Sequence, residues 1–336
     1  MFPNLVSYQS SLASEHGQEQ SREQRMCTAF MCDRANQGRK GWMLLVRRLA
    51  LLLIALCFAS AAYKSFGIGG YVNANLTNGF NFLANPLDTG NNTISNVITW
   101  APDGAKVYLW DTTNQSFTAP SVYSGSTSNW SINYFLPVGV GFVMQVSTNY
   151  TLTFVGVVLE GSLTNFVAGP NKFSLPGYKV PLDASLSQMS FPRIDGASAL
   201  VFTNQAFADA FMCYNGFGWF DPHGVVGIDG PVIQLARSFF VQNPGPATNW
   251  VFEYHFRDIA QRSLTAETGS VLLPSDIKIR DGTVTLRVGK PPAARYDVQF
   301  SEDLILWRTA ATNVTGNIWH DRLPGSNCGY YRAISR

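Results

Sequence analysis

From Val72 to about Phe256 short apolar or alternating runs are separated by turn residues, and helical periods are nearly absent. This spacing predicts antiparallel strands. Lys106 to Trp110 is rich in strand formers and follows an Asp103-Gly104 turn, and Gly141 to Val146 and Leu152 to Val158 supply two further core strands. Two segments, Leu159 to Val167 and Ala206 to Met212, read as short helices that need tertiary support. Beyond Pro274, strands are predicted over 276–280, 283–288, 295–301, 306–310, 318–321 and 329–334, with a turn at Asp281-Gly282. In Tyr296-Asp297-Val298-Gln299-Phe300 the apolar side chains share one face, and Pro291-Pro292 marks a stop that cannot join a ladder.

The first part of this β region recurs in the second. Pro86-Leu87-Asp88 returns as Pro181-Leu182-Asp183 and Asp103-Gly104-Ala105 as Asp195-Gly196-Ala197. Trp130 then corresponds to Trp219, Phe142 to Gln145 corresponds to Phe239 to Gln242, and Asn149-Tyr150 corresponds to Asn249-Trp250. The offsets, 95, 92, 89, 97 and 100, drift as loop insertions would make them drift. What is shared is turns and the aromatic or β-branched residues after them, which describes a scaffold of two related units.

Upstream, Arg47-Arg48, the apolar run from Leu49 and small residues at Ala59 and Ala61 have the three parts of a secretory signal, with cleavage expected before Ala62. As a helix, Leu49 to Ala62 would span roughly 21 Å, short of the ~30 Å hydrocarbon core. Retention of residues 49–62 as a membrane anchor is the alternative. Leu56 before Cys57 departs from a lipobox. The residues before Met43 suit neither signal nor fold, so either translation starts at Met43 or 1–42 is a disordered tail.

Seven of the 24 basic and four of the 22 acidic residues precede Ala62, leaving 17 against 18. No clustered basic surface remains for nucleic acid. Cleavage also leaves Cys213 and Cys328, which either bridge the middle of the chain to its end or stay as two separate thiols. Asn75, Asn91, Asn114, Asn129, Asn149 and Asn313 lie in Asn-x-Ser/Thr triplets, which are glycan acceptors in a eukaryotic secretory route or chance products of an Asn-, Ser- and Thr-rich chain.

Between Arg257 and Ser275 the strand pattern breaks, and the last 62 residues carry nine Lys and Arg, whereas Tyr71 to Gly177 has only Lys106 and Lys172. The run Tyr296 to Leu304, then Trp307, Asp321 and the closing Tyr330-Tyr331-Arg332-Ala333, resembles a short fibronectin type III-like module. With Phe82 to Leu87 and Asp103 to Tyr108 upstream, the chain is similar to exported bacterial β-repeat proteins that end in such a module. The resemblance implies a secreted architecture and carries over no catalytic residue. The expected fold is all-β: two tandem related antiparallel β units, 62–178 and 179–256, a linker at 257–274 and a fibronectin type III-like β-sandwich at 275–336, after an extension at 1–42 and a signal peptide at 43–61.

No Gly-x-Ser-x-Gly elbow occurs, and His223, His255 and His320 lie in no metal-binding spacing. Asp88, Asp103, Asp183, Asp195 and Asp229 sit at turn positions, where bonding to the backbone explains an aspartate. Gly139-Val140-Gly141 lacks the third glycine of a dinucleotide loop. No catalytic residue, metal or cofactor is assigned. The expected function is a non-catalytic exported protein whose β modules meet a protein or polysaccharide at the cell surface, touching the membrane transiently through the signal segment. Carbohydrate binding is the alternative, with Trp130, Tyr214, Trp219 and Phe220 stacking on sugars and His223 in a neighbouring loop; a secreted hydrolase is a further one.

Overall fold

The computed structural model describes residues 67–225, 229–255, 277–288 and 295–335. The extension at 1–42, the signal segment at 43–61, the linker at 257–274 and Pro291-Pro292 lie outside them. Strands dominate, as the alternating pattern requires. The first unit contains β1 (Gly69–Leu76), β2 (Gly79–Ala84), the four-residue helix α1 (Ile94–Val97), β3 (Lys106–Asp111), β4 (Ser116–Phe117), β5 (Ser121–Ser124), β6 (Asn129–Trp130), β7 (Gly141–Val146) and β8 (Tyr150–Val157). Its sheet has the order β2-β7-β3-β5-β6, with β4 added to β3, while β1 pairs with β8.

The second unit, whose pairing starts at residue 161 and not at the expected 179, contains β9 (Gly161–Val167), β10 (Lys172–Ser174), β11 (Ala184–Ser185), β12 (Ser198–Leu200), β13 (Phe202–Thr203), β14 (Ala206–Phe207), β15 (Phe211–Tyr214), β16 (Gly218–Phe220), β17 (Val232–Ile233), β18 (Phe240–Asn243) and β19 (Thr248–Tyr254). Its sheet has the order β10-β18-β12-β15-β16, the β13–β14 hairpin follows β12, and β9 pairs with β19. The order of pairing β10-β18-β12-β15-β16 parallels β2-β7-β3-β5-β6, while the pair β11–β17 has no counterpart among the strands named for the first unit.

Period-two alternation explains how each central strand serves two cores. In β7, Phe142 and Met144 pack into the first core while Val143 points to a cluster shared by both units. Just before and within β18, Phe239 and Val241 pack into the second core while Phe240 points to the same shared cluster.

The C-terminal strands are β20 (Ile277–Arg280), β21 (Thr283–Arg287), β22 (Tyr296–Ser301), β23 (Arg308–Val314), β24 (Ile318–Arg322) and β25 (Cys328–Ser335). Asp281 and Gly282 form the expected two-residue turn between β20 and β21, both at positive φ. β20, β21 and β24 form one layer, whereas β22, β23 and β25 continue into the first unit in the order β23-β22-β25-β1-β8. Tyr71 of β1 is buried in the core between the layers, with Ile277, Leu286, Tyr296 and Tyr331. The contact of β1 with β25 is close: a Cβ on Gly70 would stand 2.5 Å from Tyr330 Cδ1 and 2.8 Å from the Gly329 carbonyl oxygen.

Two expectations are corrected, and one open alternative is decided. Leu159 to Val167 is not a helix; β9 buries Leu163, Asn165 and Val167 on one face and exposes the residues between. Ala206 to Met212 is not a helix either, because Asn204 and Gln205 make a two-residue turn at positive φ and return the chain as β14. Of the two alternatives for Cys213 and Cys328, the structure has two separate free thiols and no bridge between them. Cys213 is enclosed in the second core, opposite Trp219, whereas the Cys328 thiol donates to the Glu302 carbonyl oxygen at 3.0 Å. Among the described residues, no helix is long and apolar enough to cross a membrane.

Candidate functional site

The turn aspartates hold the scaffold. Asp103 Oδ1 accepts the Gly125 amide at 2.6 Å, and Asp195 Oδ1 accepts the Asn215 amide at 2.9 Å, the same bridge in each unit. Asp183 Oδ1 likewise accepts the Leu235 amide at 2.6 Å. Hydrogen bonding to backbone is what a short acidic side chain offers a turn.

The residues considered for sugar stacking are not gathered in one place. Trp219 is only 1% exposed and packs against Phe191 in the second core, so its ring is closed to a ligand. Trp130 is half-buried beside Tyr123, and its Nε1 donates to the Ile98 carbonyl oxygen at 3.0 Å. Tyr214 and Phe220 do meet, on the β15–β16 hairpin, but their planes cross at 85° and offer no common platform. His223 lies on an exposed loop where Asp221 Oδ1 accepts its amide. Among the described residues, no group of three or more His, Cys, Asp or Glu is placed to hold a metal ion.

A different cluster stands out where the two units face each other. Phe82, Trp110 and Phe117 of the first meet Phe202, Phe207 and Phe240 of the second through ring contacts at 4.4–6.2 Å, several of them edge to face, and Phe173 packs on Phe240 from within the second. Such geometry matches the aromatic quadrupole and adds to the gain from burial.

Two glutamines fasten this seam reciprocally. Gln205, at the tip of the β13–β14 hairpin, accepts the Phe80 amide at 2.8 Å and donates through Nε2 to the Phe80 carbonyl at 3.0 Å and to Thr77 Oγ1 at 3.2 Å. Gln115, just before β4, accepts the Phe173 amide at 2.7 Å and donates to the Phe173 carbonyl at 3.1 Å. Each side-chain amide thus pairs with the edge strand of the opposite unit much as a backbone amide would, and covers edges otherwise open to pairing. Both glutamines have positive φ, 53° and 62°. Gly79, also at positive φ, leaves the space that the Gln205 amide fills. The loop before Gln115 is tied by Asp111, whose carboxyl is held below the usual range by the amides of Asn114 and Thr113 and by the Asn114 side chain.

Sequence reasoning missed this seam, although a signal for it is present. Thr113-Asn114-Gln115-Ser116-Phe117 returns as Thr203-Asn204-Gln205-Ala206-Phe207, carrying both glutamines and both following phenylalanines at an offset of 90.

On one side of the seam lies a pocket of about 360 Å³. Phe80 and Phe82 of β2, Tyr108 of β3, Phe117 of β4 and Val143 of β7 line it from the first unit, with Phe202 and Phe207 from the hairpin of the second. Phe80, Phe117 and Phe207 are exposed, so the pocket opens to solvent. The Tyr108 hydroxyl donates to Gln145 Oε1 at 3.2 Å, and no lining side chain carries a charge, a nucleophile of raised reactivity or a general base. The arrangement can enclose an apolar group. No protein family, curated protein or solved structure matches the chain.

Proposed function

We propose that this is an exported, non-catalytic recognition protein in which two copies of one β unit, descended from a duplication, build a binding site where they face each other. The observation that carries the reading is the solvent-open aromatic pocket between the units, walled by both. Pockets of roughly 300–1,000 Å³ with mainly apolar linings are the usual form of a small-ligand site. The matching strand orders, the paired Asp103 and Asp195 turns and the reciprocal glutamines support the duplication. Export rests on the segment 43–61 and the extracellular role on the low charge of the remaining chain, both sequence arguments.

The test has two parts. Fractionation of the producing cell with N-terminal sequencing should recover a chain beginning near Ala62 outside the cytosol; an intact precursor in the cytosol would count against export. The purified chain, screened against polysaccharides, cell-surface extracts and small organic compounds, should bind a ligand whose retention is lost in Val143→Phe, which fills the pocket. Binding that depends instead on Tyr214 or Phe220 would move the site to the β15–β16 hairpin and favour the carbohydrate reading, because Phe217 beside them is also exposed.

A further inference from the structure

We infer that the seam pocket takes a small uncharged molecule carrying an aromatic ring, and that Val143 is the residue that leaves room for it. This rests on the recognition reading above and adds the class of ligand.

The lining sets the chemistry. Six of the seven walls are aromatic, and the polar group among them, the Tyr108 hydroxyl, is already engaged by Gln145. A carboxylate, phosphate or ammonium entering the pocket would shed water and meet no opposite charge, and a sugar would lose hydrogen bonds at nearly every hydroxyl. An aromatic ring loses little on leaving water and finds edges and faces of other rings at the spacing they already keep among themselves, 4.4 Å for Phe82 and Phe202 and 5.1 Å for Phe202 and Phe207.

The walls are fixed from behind, which lowers the ordering cost of binding. Gln205 holds both backbone polar groups of Phe80. Phe202 and Phe207 face each other across the ladder of their hairpin, and Val143 lies in β7 between β2 and β3.

A comparison of the two units shows what keeps the space open. Val143 in β7 and Phe240 in β18 both point into the seam from the strand that lies second in its sheet. Trp110 pairs with Phe117 as Phe202 pairs with Phe207. On the far side Phe240 meets Trp110 at 4.8 Å and Phe173 at 5.9 Å. On the pocket side the smaller Val143 and Phe202 stand in the corresponding places. The fold therefore already carries, in its other half, the two larger residues that would fill this pocket, and Val143→Phe and Phe202→Trp each copy one of them.

The experiment uses the full chain as exported and neutral N-phenyl-1-naphthylamine as fluorescent probe. Saturable binding at one site is expected, weakened at least tenfold by Val143→Phe and independently by Phe202→Trp, and unchanged in Tyr214→Ala. The anionic analogue 8-anilinonaphthalene-1-sulfonate should bind at least tenfold more weakly than the neutral probe. Thermal unfolding of each variant establishes that it is folded, and two different fillings keep the test decisive if one of them is not. Absence of neutral-probe binding, equal binding of the anionic probe, or binding indifferent to both fillings in folded protein would overturn the inference. If the neutral probe fails while a polysaccharide or protein binds the wild type and not Val143→Phe, the ligand class falls and the recognition reading stands. If no ligand responds to either filling, both fall.

Discussion

Gln205 occupies a backbone conformation that costs a residue with a side chain about 1–2 kcal/mol, yet its amide makes three hydrogen bonds to the other unit. Glycine would relieve the strain and lose the bonds, each worth about 0.5–1.5 kcal/mol net. Gln205→Gly is therefore expected to destabilise the protein by about 1–2 kcal/mol in urea titration; a gain in stability would mean that the amide does not fasten the seam. On the other side, Asp111 adds a pH dependence. Its carboxyl titrates below the ordinary aspartate value, so its hold on the Gln115 loop is complete above about pH 4 and is lost as the pH falls through the lower folded value. Amide exchange at Phe173, corrected for its intrinsic rate, should quicken over that acid range, and Asp111→Asn should quicken it at neutral pH. Protection that ignores both changes would show the loop held by other means. At this scale the turn aspartates were legible because Asp-Gly and Pro-Leu-Asp mark turns in the local sequence, although the amides that Asp103, Asp195 and Asp183 accept lie 22, 20 and 52 residues away. The glutamines were not, because their partners lie 125 and 58 residues away.

Among the elements, strands with clean alternation were legible: β7 starts and ends where its apolar run does, and β21 and β22 lie within a residue of expectation. β9 was not, for a physical reason. Its inward face includes Asn165, a buried amide whose Nδ2 donates to the Gly177 carbonyl at 2.9 Å, so a polar residue sits where period two calls for an apolar one. β23 starts later than its apolar Leu306, because Asp303 Oδ1 accepts the amides of Ile305 and Leu306 and bends them into a turn. Trp219 of β16 belongs here as well. Its side chain serves the second core, so Trp219→Ala is expected to cost about 3–5 kcal/mol in equilibrium unfolding while leaving ligand binding by the surviving folded fraction unchanged. A small stability loss with abolished binding would reverse that assignment and return the indole to a ligand site.

For the whole molecule, an all-β fold could be read from pattern alone, whereas the pairing of β1 with β25 could not. Strand pairing between residues near 70 and near 330 leaves no local mark beyond two glycines, Gly70 and Gly329, placed where side chains would collide. Gly70→Ala is expected to force β1 from β25 and lower stability by about 1–3 kcal/mol, with the loss of amide protection greatest at Tyr330. Removal of residues 277–336 should do more, since Leu304 and Tyr330 belong to the first core and Tyr71 would lose its cover. A cooperative unfolding transition retained by that truncated chain would show the first unit complete without them.

The position of β1, flanked by β8 on one side and β25 on the other, also governs when folding can finish. At roughly 5–20 residues per second the interval between synthesis of the two flanked edges is on the order of tens of seconds. For that time one margin of β1 has no neighbour and is exposed to chance pairing with other nascent chains. Residues 328–335 act as the latch, and a chaperone that shields that margin until they arrive would raise the yield of native protein.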